Sequence, residues 1–200
     1  MAKNATPVAK RCKALNVSPA AMGYNKKTTN RNPKGGMRRK QSEYGLQLAE
    51  KQKVKFVYGM LEKQFRSYYE KAANMSGKAG ENLLILCERR LDNVVFRLGF
   101  AQTRRQARQL VSHAHFTVNG KKCNIPSYQI KPGDEIAVRQ SSKSSPLFSK
   151  LTGEDAVFVP VPEWLSLDKN ELKGTVTRMP ERADVDFPVE EHLIVEYYSK

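Results

Sequence analysis

A long N-terminal segment without any acidic residue sets the strongest constraint on how this chain can fold. Residues 1–42 carry eleven Lys and Arg side chains and no Asp or Glu, and Glu43 is the first acid. Such a segment repels itself, and the Thr, Asn, Pro and Gly residues at 28–36 offer little apolar area to bury. We therefore expect residues 1–42 to form a basic extended arm that becomes ordered against a counter-charge.

The charge of the rest of the chain is distributed unevenly. There are 35 Lys and Arg against 20 Asp and Glu, a net charge of +15, but residues 141–200 are net acidic. A strongly basic chain favours a polyanionic partner, here RNA or DNA, while the acidic last third suits a protein contact better. A solvated basic tail with no fixed partner is the alternative for the arm.

Several classes of protein are disfavoured by the sequence. No apolar run approaches the roughly 20 residues of a membrane helix, and no secretory signal opens the chain. Three cysteines, Cys12, Cys87 and Cys123, are odd in number and far apart, which fits a reducing, cytoplasmic setting. Phosphate-binding loops, nucleophile elbows and paired CxxC motifs are missing, and His113 and His115 lack a nearby third ligand. We predict neither an enzyme nor a metal or cofactor site.

Helical periodicity dominates the first half of the chain. Apolar residues from about 49 to 72 recur at helical spacing and predict one long helix with basic outer faces, whose aromatic residues pack in the core. A second apolar face at 83–98 stops at Gly99. Thr103 and Gln106 have the spacing of a capping box that opens a further helix. There, Arg104 and Arg108 lie one turn apart and predict a row of guanidinium groups suited to phosphate.

Strand and turn signals follow this helix. Asn119-Gly120 predicts a hairpin between 116–118 and 121–123, with further strands at 128–130 and 135–139. Residues 140–150 have the composition of a linker, which predicts a domain boundary. Near the C-terminus, 192–198 is strand-like. Residues 82–139 therefore predict two helices followed by a small sheet.

Many of these runs resemble the bacterial small-subunit ribosomal protein S4 family. The resemblance is carried by residues 44–48, 50–54, 80–84, 88–100, 107–111, 118–121, 124–128, 131–134 and 191–200. Many members hold a zinc ion with a cluster of cysteines near the N-terminus, whereas here Cys12 stands alone and Ala9 occupies the preceding cysteine's place. The chain resembles a zinc-free form, and we expect no metal in the arm.

The resemblance implies an α+β fold class. A mainly helical domain with a basic extended N-terminal arm would be interrupted by a small helix-helix-β-sheet RNA-binding module. The arm would be 1–42, the helical domain 43–87 completed by 151–200, and the module 88–150.

The resemblance also implies a function. Such a protein is a structural component of the small ribosomal subunit in the cytoplasm. It binds a helix junction in the 5′ domain of 16S ribosomal RNA, nucleates assembly, lines the entry channel for messenger RNA, contacts ribosomal protein S5 and influences accuracy. The alternative is a free RNA-binding translational regulator derived from the same family; related modules are also appended to RNA-modifying enzymes, but no catalytic pattern accompanies this one.

The expected contact residues are cationic or aromatic side chains in the arm, the first helices and the module. For ribosomal RNA they are Lys10, Arg11, Lys13, Tyr44, Lys51, Lys55, Arg66, Arg90, Arg97, Arg104, Arg105, Arg108, His113 and Lys121. For messenger RNA entry they are Arg38, Arg39 and Lys40.

Overall fold

The computed structural model describes residues 7–24, 42–152 and 160–199. The chain divides into two compact units, Met1–Leu83 with Asp186–Lys200, and Leu84–Val185. Helices together with a small antiparallel sheet confirm the α+β class.

The described part of the predicted arm is folded. Helix α1, Val8–Leu15, is followed by a 3₁₀ turn at Pro19–Met22 that Ser18 caps by accepting the Ala20 N–H. Cys12 and Met22 are buried, with their sulfur atoms 3.9 Å apart. An extended arm is therefore not seen at 7–24, because apolar residues on one face of α1 give this stretch something to bury. Residues 25–41 lie outside the described residues.

The predicted long helix is two helices. Helix α2, Glu43–Val57, begins where the Ser42 hydroxyl accepts the Gly45 N–H, and α3 spans Glu62–Ala73. Between them Gly59 has a φ of 63°, a left-handed value that ends α2 at low cost. The helical spacing of apolar residues in the sequence continues across this turn because Tyr58 and Met60, within the turn, are also buried.

The C-terminal segment predicted as strand-like is helix α9, Glu191–Tyr198. Short apolar runs fit both periods, and that prediction was wrong. Ile194 is fully buried, and the Tyr198 ring stacks on Tyr69 of α3 with centroids 4.6 Å apart. The Gln47 amide of α2 donates to the Glu196 carboxylate at 3.0 Å.

Three helices lead into the sheet. The apolar face at 83–98 is divided between α4, Ala79–Glu88, and α5, Leu91–Arg97, and α6 spans Arg104–Ser112. Of the two hydrogen bonds of the predicted capping box at the start of α6, one is formed: the Thr103 hydroxyl accepts the Gln106 N–H at 3.1 Å. The Gln106 side chain accepts instead from the Gln102 N–H, at 2.9 Å.

The sheet is antiparallel, with strand order β2-β1-β3-β5-β4. Its strands are β1 Phe116–Val118, β2 Lys121–Cys123, β3 Glu135–Val138, β4 Leu165–Asp168 and β5 Lys173–Val176. The predicted hairpin is confirmed, with positive φ at Asn119 and Gly120 as a type I′ turn requires. The predicted strand at 128–130 is reduced to one bridge, Arg90 to Gln129.

The predicted linker is wrong. Residues 140–150 fall in α7, Gln140–Lys143, and α8, Pro146–Thr152, and Phe148 is buried against Phe116 with ring centroids 5.9 Å apart. Since β5 pairs with β3, the chain after α8 stays in the second unit. The observed division therefore differs from the expected boundaries: residues 84–87 and the described residues of 151–185 lie with the module.

A close approach between β5 and Leu98, the residue after the last residue of α5, completes the core of the second unit. The single tryptophan, Trp164, and Leu98 are both fully buried there. A Cβ added to Gly174 would lie 2.5 Å from both terminal carbons of Leu98. A side chain at 174 would therefore force the buried Leu98 side chain to move, which favours glycine there.

We expect Gly174→Ala to lower the free energy of unfolding of the second unit by about 1–3 kcal/mol, because a packed core yields poorly to an added methyl group. Denaturant unfolding followed by Trp164 fluorescence measures this. Thr175→Ala, on the opposite face of β5, is the control and should change stability by less than about 0.5 kcal/mol. Equal stability of both variants would contradict the packing argument.

Candidate nucleic-acid interface

Helix α6 presents its basic residues in two directions. Arg104, Ala107 and Val111 are buried and follow one another at helical spacing. Arg105 and Arg108 lie off that stripe and are half-buried. The predicted row of guanidinium groups is therefore reduced to Arg105 and Arg108.

Arg104 holds α6 against α5. Its Nε donates to Asn93 Oδ1 at 2.9 Å, and its guanidinium carbon lies 4.4 Å from the centroid of the Phe96 ring. Stacking on an aromatic face suits a guanidinium that is poorly accessible to water. The burial of Arg104 could have been predicted from its helical spacing to the apolar residues Ala107 and Val111. Its spacing to Arg108 instead suggested an exposed position.

Two further predicted RNA contacts are buried ion pairs. Arg90 donates through Nε and Nη2 to the two oxygens of Asp92 at 3.0 and 2.7 Å. Arg97 donates in the same way to Glu88, at 3.1 and 2.8 Å. Arg90 is only 1% exposed. Arg90, Arg97 and Arg104, which we expected to contact RNA, are thus buried side chains that organise the protein interior.

The other predicted module residues reach the surface. Arg108 is about a quarter exposed, and its Nη1 lies 3.9 Å from Asp92 Oδ2, so the buried carboxylate also orients α6's outer face. His113 and Lys121 are exposed. The ring of His113 lies 6.2 Å from that of His115.

The pKa of His115 is lowered by burial, by His113 and by Arg139. Its Nδ1 lies 3.0 Å from the Ser142 hydroxyl. A neutral ring suits this half-buried position, and exposed His113 is the histidine that remains available to a ligand.

Sequence reasoning did not select Lys122, Lys131 and Arg139, which are exposed cations of the second unit. The Arg139 N–H donates to the His115 carbonyl at 2.8 Å, which places Arg139 beside His115. Lys122 is opposite Thr117, on the sheet face away from the core. Because side chains alternate between the two faces of a strand, the predicted strand 121–123 could have been used to predict that Lys122 points away from the core.

A carboxylate joins the two turns at one end of the sheet. Asp134 accepts from Asn119 Nδ2 at 2.8 Å and from the Lys131 N–H at 2.7 Å. The side-chain oxygen of Asn119, Oδ1, accepts the Glu135 N–H at 2.9 Å. These bonds hold Lys121, just after the first turn, and Lys131, at the start of the second, at the same end of the sheet.

In the first unit, two predicted RNA contacts are neutralised internally. Lys51 and Lys55 donate to the two oxygens of Glu62 at 2.7 and 2.8 Å. Lys51 is buried, and its ammonium lies 4.1 Å from the centroid of the Tyr197 ring. Lys51 therefore belongs to the interior of this unit.

The remaining predicted residues of the first unit are more accessible. Lys10 and Lys13 are exposed on α1, while Arg11 is half-buried with its Nη2 3.5 Å from Gln52 Oε1. Tyr44 is exposed, with its hydroxyl 3.5 Å from that of Tyr197. Arg66 is exposed beside Glu70. Arg38, Arg39 and Lys40 lie outside the described residues.

The Glu62 carboxylate has a strongly shifted pKa. Partial burial raises it, but hydrogen bonds from Lys51, Lys55 and Tyr198 outweigh the burial and bring it from 4.5 to about 2. The same contact, together with burial, raises the pKa of Tyr198. Glu62 is therefore an anion that ties α2, α3 and α9 together.

A metal site and a membrane-spanning helix were sought in the described ranges 7–24, 42–152 and 160–199. There, no three His, Cys, Asp or Glu side chains gather in a way that could hold a metal ion. No helix in those ranges is long and apolar enough to span a membrane.

Comparison with known proteins gives matches along the chain. The family described as the ribosomal protein S4/S9 N-terminal domain matches residues 3–88, and the S4 domain family matches residues 89–136. A small ribosomal subunit protein uS4 from Lachnospira eligens is 54% identical over 200 residues, covering 100% of both chains. The protein of that name from Fusobacterium nucleatum is 49% identical over 100% of both chains. That from Caldicellulosiruptor saccharolyticus is 59% identical over 83% of this chain and 79% of its own.

We expect Glu62→Gln to destabilise the first unit near neutral pH. Nearly half of the Glu62 side chain is exposed, so screening limits the loss to about 1 kcal/mol. Because the folded pKa is depressed, Glu62's contribution is present above the ordinary pKa of 4.5 and is lost as pH falls towards 2.

The measurement is denaturant unfolding followed by circular dichroism across that pH range, with Glu70→Gln as the control. The stability gap between the unsubstituted protein and Glu62→Gln should close as the solution becomes acidic. A gap that is independent of pH would contradict this role of Glu62.

Proposed function

Because the chain belongs to the ribosomal protein S4 family, we propose that it is a structural, non-enzymatic component of the small ribosomal subunit that binds ribosomal RNA. Family matches that together span residues 3–136 support the assignment, as do relatives named small ribosomal subunit protein uS4 over the full chain length. The bacterial ribosome would place it in the cytoplasm.

The accessible basic side chains of the second unit are the observation that best supports RNA binding. They include the half-buried Arg105 and Arg108 and the exposed His113, Lys121, Lys122, Lys131 and Arg139. Contacts from such groups to phosphates release counterions and form charge-assisted hydrogen bonds. The proposed target is a helix junction in the 5′ domain of 16S ribosomal RNA, where several backbones converge and shape rather than base sequence is read. Binding there would nucleate subunit assembly.

The buried ion pairs support this role indirectly. A phosphate contact needs an arginine that is held in place before the RNA arrives, since each immobilised side chain costs affinity. Asp92 is fixed by Arg90 and lies 3.9 Å from Arg108, while Arg104 locks α6 against α5. Arg105 and Arg108 are thus carried on a rigid helix. In the first unit, Lys10, Lys13, Tyr44 and Arg66 would add further contacts.

Two finer roles rest on the family and on charge. Arg38, Arg39 and Lys40 form a compact basic group that would line the entry channel and grip messenger RNA electrostatically. The net acidic last third, including the exposed Glu163 and Glu171, suits a protein neighbour, proposed to be ribosomal protein S5. Through that contact the protein would influence translational accuracy.

We expect the double substitution Arg105→Ala and Arg108→Ala to weaken binding to the 5′ domain of 16S RNA about tenfold or more, because two charge-assisted contacts are lost. The dependence of the binding constant on salt should also become shallower, by about one unit of slope per lost phosphate contact. Filter binding across a salt series measures both quantities.

The matched control is Lys169→Ala with Lys173→Ala, which removes the same charge around the β4–β5 turn and should have a smaller effect. Equal affinity of the unsubstituted protein for the 5′ domain and for an unrelated structured RNA would contradict the proposed target. Selective binding without incorporation into small subunits would favour the free regulator.

We expect replacement of Arg38, Arg39 and Lys40 by alanine to leave affinity for the isolated 5′ domain nearly unchanged but to slow translation through a structured message. The reason is that these cations would face the message rather than the 5′ domain. Reconstituted small subunits that carry the variant, compared on hairpin-containing and unstructured messages, measure this. The same rate on both messages as with the unsubstituted protein would contradict the entry-channel role.

A further inference from the structure

The segment between β2 and β3 exposes two large apolar side chains close together in sequence. Ile125 is 54% exposed and Tyr128 is 39% exposed. A single exposed apolar side chain is ordinary, whereas two on one short segment make that segment a candidate for ligand contact. Neither residue is used by the buried pairs or by the α6 cations.

Backbone hydrogen bonds hold this segment in one conformation. The Tyr128 N–H donates to the Ile125 carbonyl at 3.1 Å and closes a turn. The carbonyls of Pro126 and Tyr128 then accept from the N–H groups of Asp92 and Leu91, at 3.1 and 2.9 Å. Ile125 and Tyr128 are thus presented by a backbone that is anchored to the start of α5.

Side-chain hydrogen bonds also anchor the same segment, to residues 86–89 at the end of α4. Arg89 Nε donates to the Ile130 carbonyl at 2.9 Å, and the Gln129 amide donates to the Leu86 carbonyl at 3.2 Å. Ile130 is buried. A platform fixed at this many points loses little conformational freedom when a ligand binds.

The charges that flank the platform are positive. Lys121 and Lys122 precede it on β2 and Lys131 follows it, all exposed. Within the described ranges none of the three forms an ion pair. The nearest following acid, Asp134, is occupied by Asn119 and the Lys131 N–H, and Glu135 pairs with Lys173 at 2.9 Å.

We propose that Tyr128, supported by Ile125, is a stacking platform for one unpaired base of the bound RNA, with Lys121 and Lys131, which are held at the same end of the sheet, contacting the adjacent phosphates. Exposed aromatic rings that stack on bases, combined with cations that contact the backbone, are a common means by which proteins bind single-stranded nucleic acid. Here the cations flank Tyr128 in the sequence. The bases of an A-form duplex are stacked on each other, so the site selects a bulged or looped nucleotide. This inference rests on the proposed RNA-binding function and adds a contact outside α6.

The charge pattern favours RNA over a peptide. A protein partner for Ile125 and Tyr128 would have to bring acids to meet three lysines, whereas an RNA chain carries a phosphate at every nucleotide. The tyrosine hydroxyl is compatible with either, because it needs only water or an acceptor.

The test compares Tyr128→Ala, Tyr128→Leu and Tyr128→Phe in the full chain for binding to the 5′ domain of 16S RNA. Loss of a stacked base should weaken binding about 5- to 100-fold in Tyr128→Ala. Tyr128→Phe should stay within about twofold, and Tyr128→Leu should resemble Tyr128→Ala because it keeps apolar volume but no aromatic face. The salt slope should be the same in all variants, since no charge is removed.

Several outcomes would overturn the platform. They are undiminished binding by Tyr128→Ala, equal binding by Tyr128→Leu and Tyr128→Phe, or a changed salt slope. Unchanged binding to RNA together with loss of a ribosomal protein contact would assign the surface to a protein partner and would also overturn the platform.

Failure of the proposed function is a separate result. In that case the unsubstituted protein itself would not distinguish the 5′ domain from an unrelated structured RNA. Trp164 fluorescence during denaturation checks that each variant folds, and little change is expected because Tyr128 anchors the segment through its backbone N–H and carbonyl, which the substitutions keep.

Discussion

A buried carboxylate is the constraint on which the second unit depends. Glu88 is fully buried at the end of α4, and an unpaired charge there would be prohibitively costly. Asn93 and Arg97 of α5 satisfy its oxygens, and the other end of the Asn93 amide accepts from Arg104 of α6. Three helices therefore have one permitted arrangement, because sliding any of them would leave a charged group without its partner. The outer face of α6 and the segment at 124–130 take their positions from this core.

The elements that sequence reasoning placed correctly are those defined by local chemistry. The Thr103 cap and the Asn119-Gly120 turn depend on neighbouring residues only, and both are present. Errors occurred where tertiary packing decides. The period of α2 and α3 continues through Gly59 because the turn is also buried, and α9 is helical because Ile194 and Tyr198 pack on the other helices of the first unit. The Ser-rich stretch at 140–150 has linker composition, yet Phe148 draws it into the core.

The candidate interface was only partly predictable for the same reason. Net charge identifies a chain that binds a polyanion, but it does not say which cations are neutralised within the protein. Asp92 follows Arg90 by two residues, and Glu62 follows Lys51 by eleven residues and Lys55 by seven, so the partners were visible in the sequence while their geometry was not. Lys122 and Arg139, conversely, look unremarkable in sequence and become candidates through strand register.

The strand order has a consequence for how the protein is made. One edge of β3 is covered by β1, which precedes it, but the other is covered only by β5, which begins at Lys173, about 35 residues after β3 ends at Val138. If about 5–20 residues are synthesised per second, β5 emerges a few seconds after β3, and this edge of β3 is unpaired until then. During that interval the unpaired N–H and C=O groups of Glu135–Val138 can pair with any other extended chain. Expression of the module as a fragment that ends near 150 would make this exposure permanent.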